Sequence, residues 1–306
     1  MGRVIVLGVF VADATFRADR LPRIGETLLG RDFALGPGGK GSNQAVACGR
    51  AGGDVAILTR LGRDPFGAMA REVWAEAGVT PLVVEGDTPT GAAFIYVDAA
   101  SGDNAIIIAP GAAGDLSAVD VDARAADLAG AGVAITQLEQ PMAAAYRFLE
   151  TARAGGATTV LNPAPAADLP EGMLALCDYV TPNESEAEAL TGIAVSDLDG
   201  ARAAGDALLA AGVGQAVIVT LGERGVLFHA ADRSLHVPAF DAGAVVETTG
   251  AGDAFNGAFA AALAEGRDPV EAARFGCAAA AISVTRPGAA ASSPERVEIE
   301  ALLAEG

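Results

Sequence analysis

Short runs of β-branched and aliphatic residues alternate along this chain with alanine-rich stretches of helical length, and this alternation constrains the fold more than any other feature. Strand-like segments at 4–9, 55–59, 133–137, 159–161, 179–181 and 216–221 are interleaved with helical patterns at 42–50, 66–76, 142–153 and near 197–211. Further helices are predicted near 254–264 and 270–284. Such a succession predicts a parallel sheet wrapped by helices. With 306 residues, the chain can form one large α/β domain or two smaller ones, because single cores stop growing at roughly 250–300 residues. No repeat of fixed period and no low-complexity linker interrupts it.

Two regions break the pattern. Residues 26–35, and the pair 92–97 and 105–108, read as strands without intervening helices and predict a small separate sheet. In Phe94-Ile95-Tyr96-Val97 both alternating faces are apolar, whereas a one-sided surface sheet carries polar residues at every second position. A bound substrate and a partner subunit would cover the two faces; an edge hairpin of the main sheet is the alternative.

Hydrophobic residues make up 51% of the chain and charged residues 19%, a balance that supports a packed core and excludes disorder. The formal net charge of -19 repels a polyphosphate backbone, so nucleic acid is excluded as a partner. Cys48, Cys177 and Cys277 are odd in number and lack C-x-x-C spacing, which gives neither a disulfide framework nor a zinc site. The N-terminus runs directly into a strand, and no apolar run approaches the 18 or so residues of a membrane span. A soluble cytoplasmic protein is expected.

Three segments can carry chemistry. Gly36-Pro37-Gly38-Gly39-Lys40-Gly41 matches G-x-G-x-x-G, but it does not follow the first strand of a βαβ unit as a dinucleotide fingerprint must. It also fails as a Walker A loop, since Gly41 replaces Ser or Thr after the lysine. What remains is a backbone able to approach a small polar ligand, leading into a helix whose first turn carries Asn43 and Gln44. Lys40 is the only lysine of the chain, either because the loop needs an amine or because composition has removed the others. In the second segment, Thr248-Thr249-Gly250-Ala251-Gly252-Asp253, the glycines stand at a helix N-terminus, where free N–H groups and the helix dipole can stabilise a transferring phosphoryl group. Asp253 is within reach of that charge, although an acid in a first turn is also ordinary capping. In the third, Asn183 and Glu186 lie three apart at a helix start; they could hold metal-bound waters or form a capping box.

These segments together resemble the ribokinase family, also called the phosphofructokinase-B family of sugar kinases. The resemblance rests on 36–45 and 249–257, and between them on Gln137-Leu138-Glu139, Leu161-Asn162-Pro163-Ala164-Pro165, Thr181-Pro182-Asn183-Glu184 with Glu186, and Thr220-Leu221-Gly222-Glu223-Arg224-Gly225. It implies a ribokinase-like three-layer α/β/α fold, with a central mostly parallel sheet and a single domain over 1–306. A small β lid, formed by segments near 12–36 and 90–109, often serves as a homodimer interface in the family. It further implies ATP-dependent phosphorylation of ribose, with Asp253 as general base and the N–H groups of Gly250, Ala251 and Gly252 as anion hole.

The family pattern sets Asp13, Gly38, Gly39, Lys40, Asn43 and Glu139 around the sugar, and Thr220, Gly222 and Gly225 beside the nucleotide. Asn183 and Glu186 would support Mg²⁺. A K⁺ ion would be held by Glu247, Thr249, Ser283, Arg286, Gly288 and Ser292. The chain departs from the pattern at Val11, where an Asn is usual; at Glu247, where Asp is common; and at Cys277, a position beside adenine that is often polar. An apolar residue at 11 suits 2-deoxyribose without excluding ribose. A kinase of another small sugar or nucleoside is the alternative within enzymes. A non-catalytic sugar- or nucleotide-binding protein is the alternative outside them, and the intact Gly250-Ala251-Gly252-Asp253 argues against it. His229 and His236 read as strand-surface residues without a role.

Overall fold

A computed structural model describes residues 2–305. Strand β1 (Arg3–Leu7) is followed by β2 (Val11–Ala18), β3 (Asp32–Gly38) and helix α1 (Lys40–Arg50). Next come β4 (Val55–Gly62), α2 (Pro65–Glu76), β5 (Thr80–Gly86) and the hairpin of β6 (Thr90–Asp98) and β7 (Asn104–Gly111). Short helices α3 (Ala118–Asp122) and α4 (Ala125–Ala129) lead to β8 (Ala131–Thr136), α5 (Met142–Ala154) and β9 (Thr158–Leu161). The chain continues through β10 (Tyr179–Val180), α6 (Glu184–Thr191), α7 (Leu198–Ala210) and β11 (Ala216–Thr220) to β12 (Val226–Ala230) and β13 (Ser234–Val237). Helices α8 (Ala251–Ala264), α9 (Pro269–Ser283) and α10 (Arg296–Glu305) complete it.

Nine strands form the main sheet in the order β13-β12-β11-β10-β9-β8-β1-β4-β5. Its seven strands from β11 to β5 run parallel, and β12 and β13 extend one edge antiparallel. Both faces are covered, as a parallel sheet requires. Val4 and Val6 of β1 face the core shared with α1, α2, α8, α9 and α10, while Ile5 and Leu7 face the one shared with α3, α4 and α5. Helices α5, α6 and α7 close a third cluster over β11. The result is the expected three-layer α/β/α arrangement.

The second sheet has the order β3-β2-β6-β7. The sequence reading placed a strand at 26–35, whereas the structure begins β3 at Asp32 and pairs it with β2, which the sequence reading did not identify as a strand. Asp13 and Arg17 lie within this strand, whose alanine-rich sequence has little β-propensity of its own. Strand β5 is likewise unforeseen, and β12 and β13 are anticipated only as strands bearing His229 and His236. The pairing assigns the two apolar faces of 94–97. Phe94 lies with Phe16, Phe33, Leu35 and Ile107 on one face; Ile95 lies with Val11 and Asp13 on the other. Phe16, Phe33, Leu35 and Ile107 are 40%, 56%, 43% and 69% exposed, which leaves an apolar surface on the face opposite Asp13.

Helix α8 crosses α1 at very short range. A side chain at Gly257 would begin 2.4 Å from the Gln44 carbonyl oxygen and 2.6 Å from the Ala47 Cβ, so only glycine permits this approach. Asp253 and Gly257 are four apart on α8 and share the face turned to α1. The close crossing therefore sets Asp253 directly against the first turn of α1.

Candidate active site

The site residues gather at the C-terminal ends of the parallel strands, where open α/β sheets bind ligands. Gln137 and Glu139 follow β8, Asn162 follows β9, Asn183 follows β10, and Thr220 ends β11. Asn183 and Thr220 bridge neighbouring backbones. The chain leaves β1 through Val9 and Phe10, enters the small sheet with Asp13, and returns through Gly38 and Gly39 into α1. Gly39 has φ +90, and a side chain on it would start 2.5 Å from the Val9 carbonyl oxygen. At Gly38 a Cβ would sit 2.2 Å from an Asp13 carboxylate oxygen. These glycines make room for the Asp13 carboxylate and for the loop that carries it.

Lys40 is the first residue of α1 and so belongs to the helix, not to the preceding loop as expected. Its backbone N–H donates to Glu139 Oε2 at 2.8 Å. One turn on, Asn43 Nδ2 donates to Asp253 Oδ2 at 3.0 Å and Gln44 Nε2 donates to Asp253 Oδ1 at 3.0 Å. Asn43 Oδ1 is buried without a partner. An acceptor left open beside the Asp253 carboxylate is suited to a ligand hydroxyl.

Helix α8 begins after Gly250, which has φ +81 and packs so closely on Ala289 that a Cβ would lie 2.7 Å from its Cα. The Ala251 N–H does not face the cleft as the sequence reading supposed, because it donates to the Thr248 carbonyl at 3.2 Å. Gly252 is open: a Cβ there would meet nothing within 4 Å.

Four carboxylates, Asp13, Glu139, Glu186 and Asp253, have pKa values raised above their ordinary range, in each case chiefly by burial. Asp13 is pushed up to about 6. The amides of Asn43 and Gln44 and the positive charge of Lys40 pull Asp253 back towards the ionised form. Elsewhere among the described residues, every carboxylate with a resolved shift is lowered, by arginine partners or by backbone donors. Raised carboxylates confined to one place mark a site where stability is given up for chemistry.

Asn183 and Glu186 form the capping box of α6: Asn183 Oδ1 accepts from the Glu186 N–H at 2.8 Å, and the Asn183 N–H donates to Glu186 Oε2 at 2.9 Å. Among the described residues no hydrogen bond reaches Glu186 Oε1, whereas Oε2 is taken by the capping box. Gly222 and Gly225 have φ +55 and +88. Gly225 is required by the adjacent strand, since a Cβ would lie 2.2 Å from the Val237 carbonyl oxygen.

The loops bearing the remaining predicted residues meet beside the start of α8. Val246 and Glu247 both donate their N–H groups to the Val284 carbonyl, and the Gly288 N–H donates to Glu247 Oε2 at 2.9 Å. The Ser283 and Ser292 hydroxyls donate to the Ala280 and Ala289 carbonyls. The Arg286 guanidinium pairs with Glu298; a positive group with donors only, it leaves the backbone carbonyl as the one atom of Arg286 that could face a cation. His229 is not a surface residue as expected. It is 7% exposed and held between Asp206 at 2.8 Å and Ser234 at 3.0 Å. His236 is exposed.

A family model described as pfkB family carbohydrate kinase matches residues 1–296. The chain belongs to that family. The kinase is 40% identical over 295 residues to a ribokinase of Haemophilus influenzae, with 96% of this chain and 95% of the relative covered. It is 38% identical over 294 residues to a deoxyribokinase of Salmonella typhi, with 95% of each covered. Its fold matches that of an Arabidopsis thaliana ribokinase solved with ribose and ATP, with a TM-score of 0.93 and 29% identity over 99% of this chain and 98% of the other. The chain is thus a carbohydrate kinase, a phosphotransferase with an alcohol group as acceptor. No helix among the described residues is long and apolar enough to cross a membrane.

The raised pKa of Asp13 predicts a pH-dependent cost. In the folded kinase its proton is held up to about pH 6, whereas in the unfolded chain it is lost near pH 4. Its contribution to stability therefore falls as pH rises through that window. Asp13→Asn is expected to melt above the wild type at pH 8, with the gap closing below about pH 4. Thermal melts of both proteins across pH test this; a gap that does not change with pH would refute the burial of that charge.

Proposed function

We propose that this kinase transfers the γ-phosphoryl group of ATP to the primary O5 hydroxyl of ribose, giving ribose 5-phosphate and ADP. The observation that carries this reading is the Asp253 carboxylate, buried at the start of α8 beside the open Gly252 backbone and gripped by two amides of α1. Asp253 takes the proton of O5 as that oxygen attacks the γ-phosphorus, and the bond to the β,γ-bridging oxygen breaks to release ADP. The N–H groups of Gly250 and Gly252 stabilise the charge spreading over the transferred group. The sugar is held by Asp13 and Glu139, which accept from its hydroxyls, by Asn43 and Lys40, and by the close backbone of Gly38 and Gly39. Thr220, Gly222 and Gly225 flank the nucleotide. Cys277, buried in α9, is the residue beside adenine.

The residues fit the two cations implied by the family. The cleft sets four carboxylates against one lysine, so a polyphosphate needs a further positive charge. Asn183 and Glu186, through the free Glu186 Oε1, supply oxygen ligands suited to Mg²⁺ and its waters. A cation held there would supply charge neutralisation for a bound polyphosphate. The carboxylate of Glu247, the hydroxyl of Ser292 and backbone oxygens of Thr249, Ser283, Arg286 and Gly288 form an all-oxygen set for K⁺ behind the anion hole.

Deoxyribose is the second reading, and Val11 favours it. Val11 lies on the Asp13 face of β2 and is 6% exposed, so it offers a sugar only an apolar contact. An apolar wall rejects an added hydroxyl by only about 10²-fold, so both sugars are substrates. We also propose that a second copy of the chain covers the apolar outer face of the small sheet, making a homodimer. The free, buried thiols of Cys48, Cys177 and Cys277 fit a cytoplasmic setting.

Three measurements bear on these assignments. Asp253→Asn should lower kcat by at least about 10² while sugar still binds by calorimetry; unchanged turnover would remove the base. Coupled ADP-release assays should give kcat/KM values for ribose and 2-deoxyribose within about 10² of each other, with K⁺ raising both over Na⁺. A preference above about 10⁴ would sink the argument from Val11, and indifference to the cation would remove K⁺. Ile107→Glu should convert a dimer to a monomer in sedimentation velocity, and a wild-type monomer at micromolar concentration would refute the interface.

A further inference from the structure

The Asp253 carboxylate is held by more than its own helix. Gln44, with no exposed surface, donates from Nε2 both to Asp253 Oδ1 and to Asn162 Oδ1 at 3.1 Å. Its Oε1 accepts from Gln137 Nε2 at 2.5 Å. Asn162 Nδ2 in turn donates to the Thr181 carbonyl at 3.0 Å. The Thr181 hydroxyl donates to Asn256 Oδ1 at 2.7 Å, and Asn256 Nδ2 reaches the Gly252 carbonyl at 2.8 Å. The directions are fixed chemically, because an ionised carboxylate only accepts, so the end of Gln44 facing it is the amide nitrogen. One connected chain of hydrogen bonds thus runs from the ends of β8, β9 and β10 to both the carboxylate and the backbone of the α8 start.

Two glycines make room for this chain. A Cβ at Gly8 would lie 2.6 Å from Gln137 Oε1, and one at Gly41 would lie 2.9 Å from the same atom. Burying amides costs free energy unless they are satisfied; both polar atoms of the Gln44 side chain are paired, while Gln137 Oε1 is left without a partner. Gln44 has no exposed surface and no unpaired polar atom in its side chain, whereas Asn43 Oδ1 has no partner. A sugar ligand role does not account for it.

We infer that Gln44 is a positioning residue: oriented by Gln137 and Asn162, its side-chain amide holds the Asp253 carboxylate at the angle from which it accepts the sugar's proton. This rests on Asp253 being the base. The other charged groups acting on Asp253 are Lys40 on α1, Glu139 after β8 and Glu186 on α6. Asn43 and Gln44 are both neutral donors that favour its ionised form; Gln44 is the one that is itself held by Gln137 and Asn162 and has no exposed surface.

The test is a cycle of Gln44→Leu, Asp253→Asn and the double variant, with kcat, sugar KM, melting temperature and the pH profile of kcat measured for each. Gln44→Leu should lose about 10–100-fold in kcat with KM within about threefold, the loss expected for one hydrogen bond to a charged group and a misaligned base. Its acid limb should move to higher pH, because a donor that favours the carboxylate has gone. In the Asp253→Asn background the same change should alter residual kcat by less than about twofold. Gln44→Glu keeps the shape of the side chain and sets a second acid against the first. It should move the acid limb further the same way, and it decides the question if Gln44→Leu fails to fold. Wild-type kcat and pH profile in a folded Gln44 variant, or losses that add in the double variant, overturn the positioning role. If Asp253→Asn itself turns over normally, the assignment of the base has failed instead.

Discussion

The approach of α8 to α1 is the constraint on which the rest of the molecule turns. Helices separated by ordinary side chains would leave Asp253 a full side-chain layer away from Asn43 and Gln44. Gly257 removes that layer. Two helix starts that are more than two hundred residues apart in sequence then share one hydrogen-bonded cluster, and the base is gripped on both oxygens before any ligand arrives. Preorganisation of this kind saves the reorganisation that water would otherwise have to make during proton transfer.

The electrostatics follow from that geometry. The site collects two buried carboxylates, Glu186 and Asp253, and two half-buried ones, Asp13 and Glu139, around a single lysine in a chain whose net charge is already -19. Elsewhere among the described residues, the acids with a resolved shift sit in arginine pairs or accept backbone N–H groups, which lower their pKa values. The fold thus treats acids in two ways: they stabilise the scaffold at its surface and burden it in the cleft. A nucleotide entering that cleft meets repulsion unless a cation travels with it or waits there.

The sequence disclosed the parts of this structure that repeat a strong pattern. The strands at 4–9, 55–59 and 133–137 are buried on both faces, so their apolar runs are continuous, and the alanine-rich helices between them carry clear periodicity. Strand β2 escaped notice because its alternating Asp13, Thr15 and Arg17 are set among alanines of low β-propensity, and its pairing with β3 and β6 fixes it as a strand. The glycine-rich helix starts were legible as ligand sites, that of α1 for a small polar ligand and that of α8 for an anion, but their detail was not. The Ala251 N–H turned back to Thr248, and Gly41 serves a glutamine rather than a ligand. Gln137 and Asn162 were visible only as letters in a motif. Their meeting with Gln44 depends on three strand ends and one helix converging, which no local spacing encodes. His229 looked like a surface residue because an edge strand usually exposes alternate positions, yet α7 covers it, at Gly205.

The lone lysine has a consequence of its own. Because Lys40 stands at the head of α1 among the acids of the cleft, the ε-amine most often used for acylation, cross-linking or attachment to a support exists here only in the reaction centre. Apart from the α-amine, reagents of that type have a single address on this protein. Their uptake would therefore report on how open the cleft is, with no background from the rest of the surface.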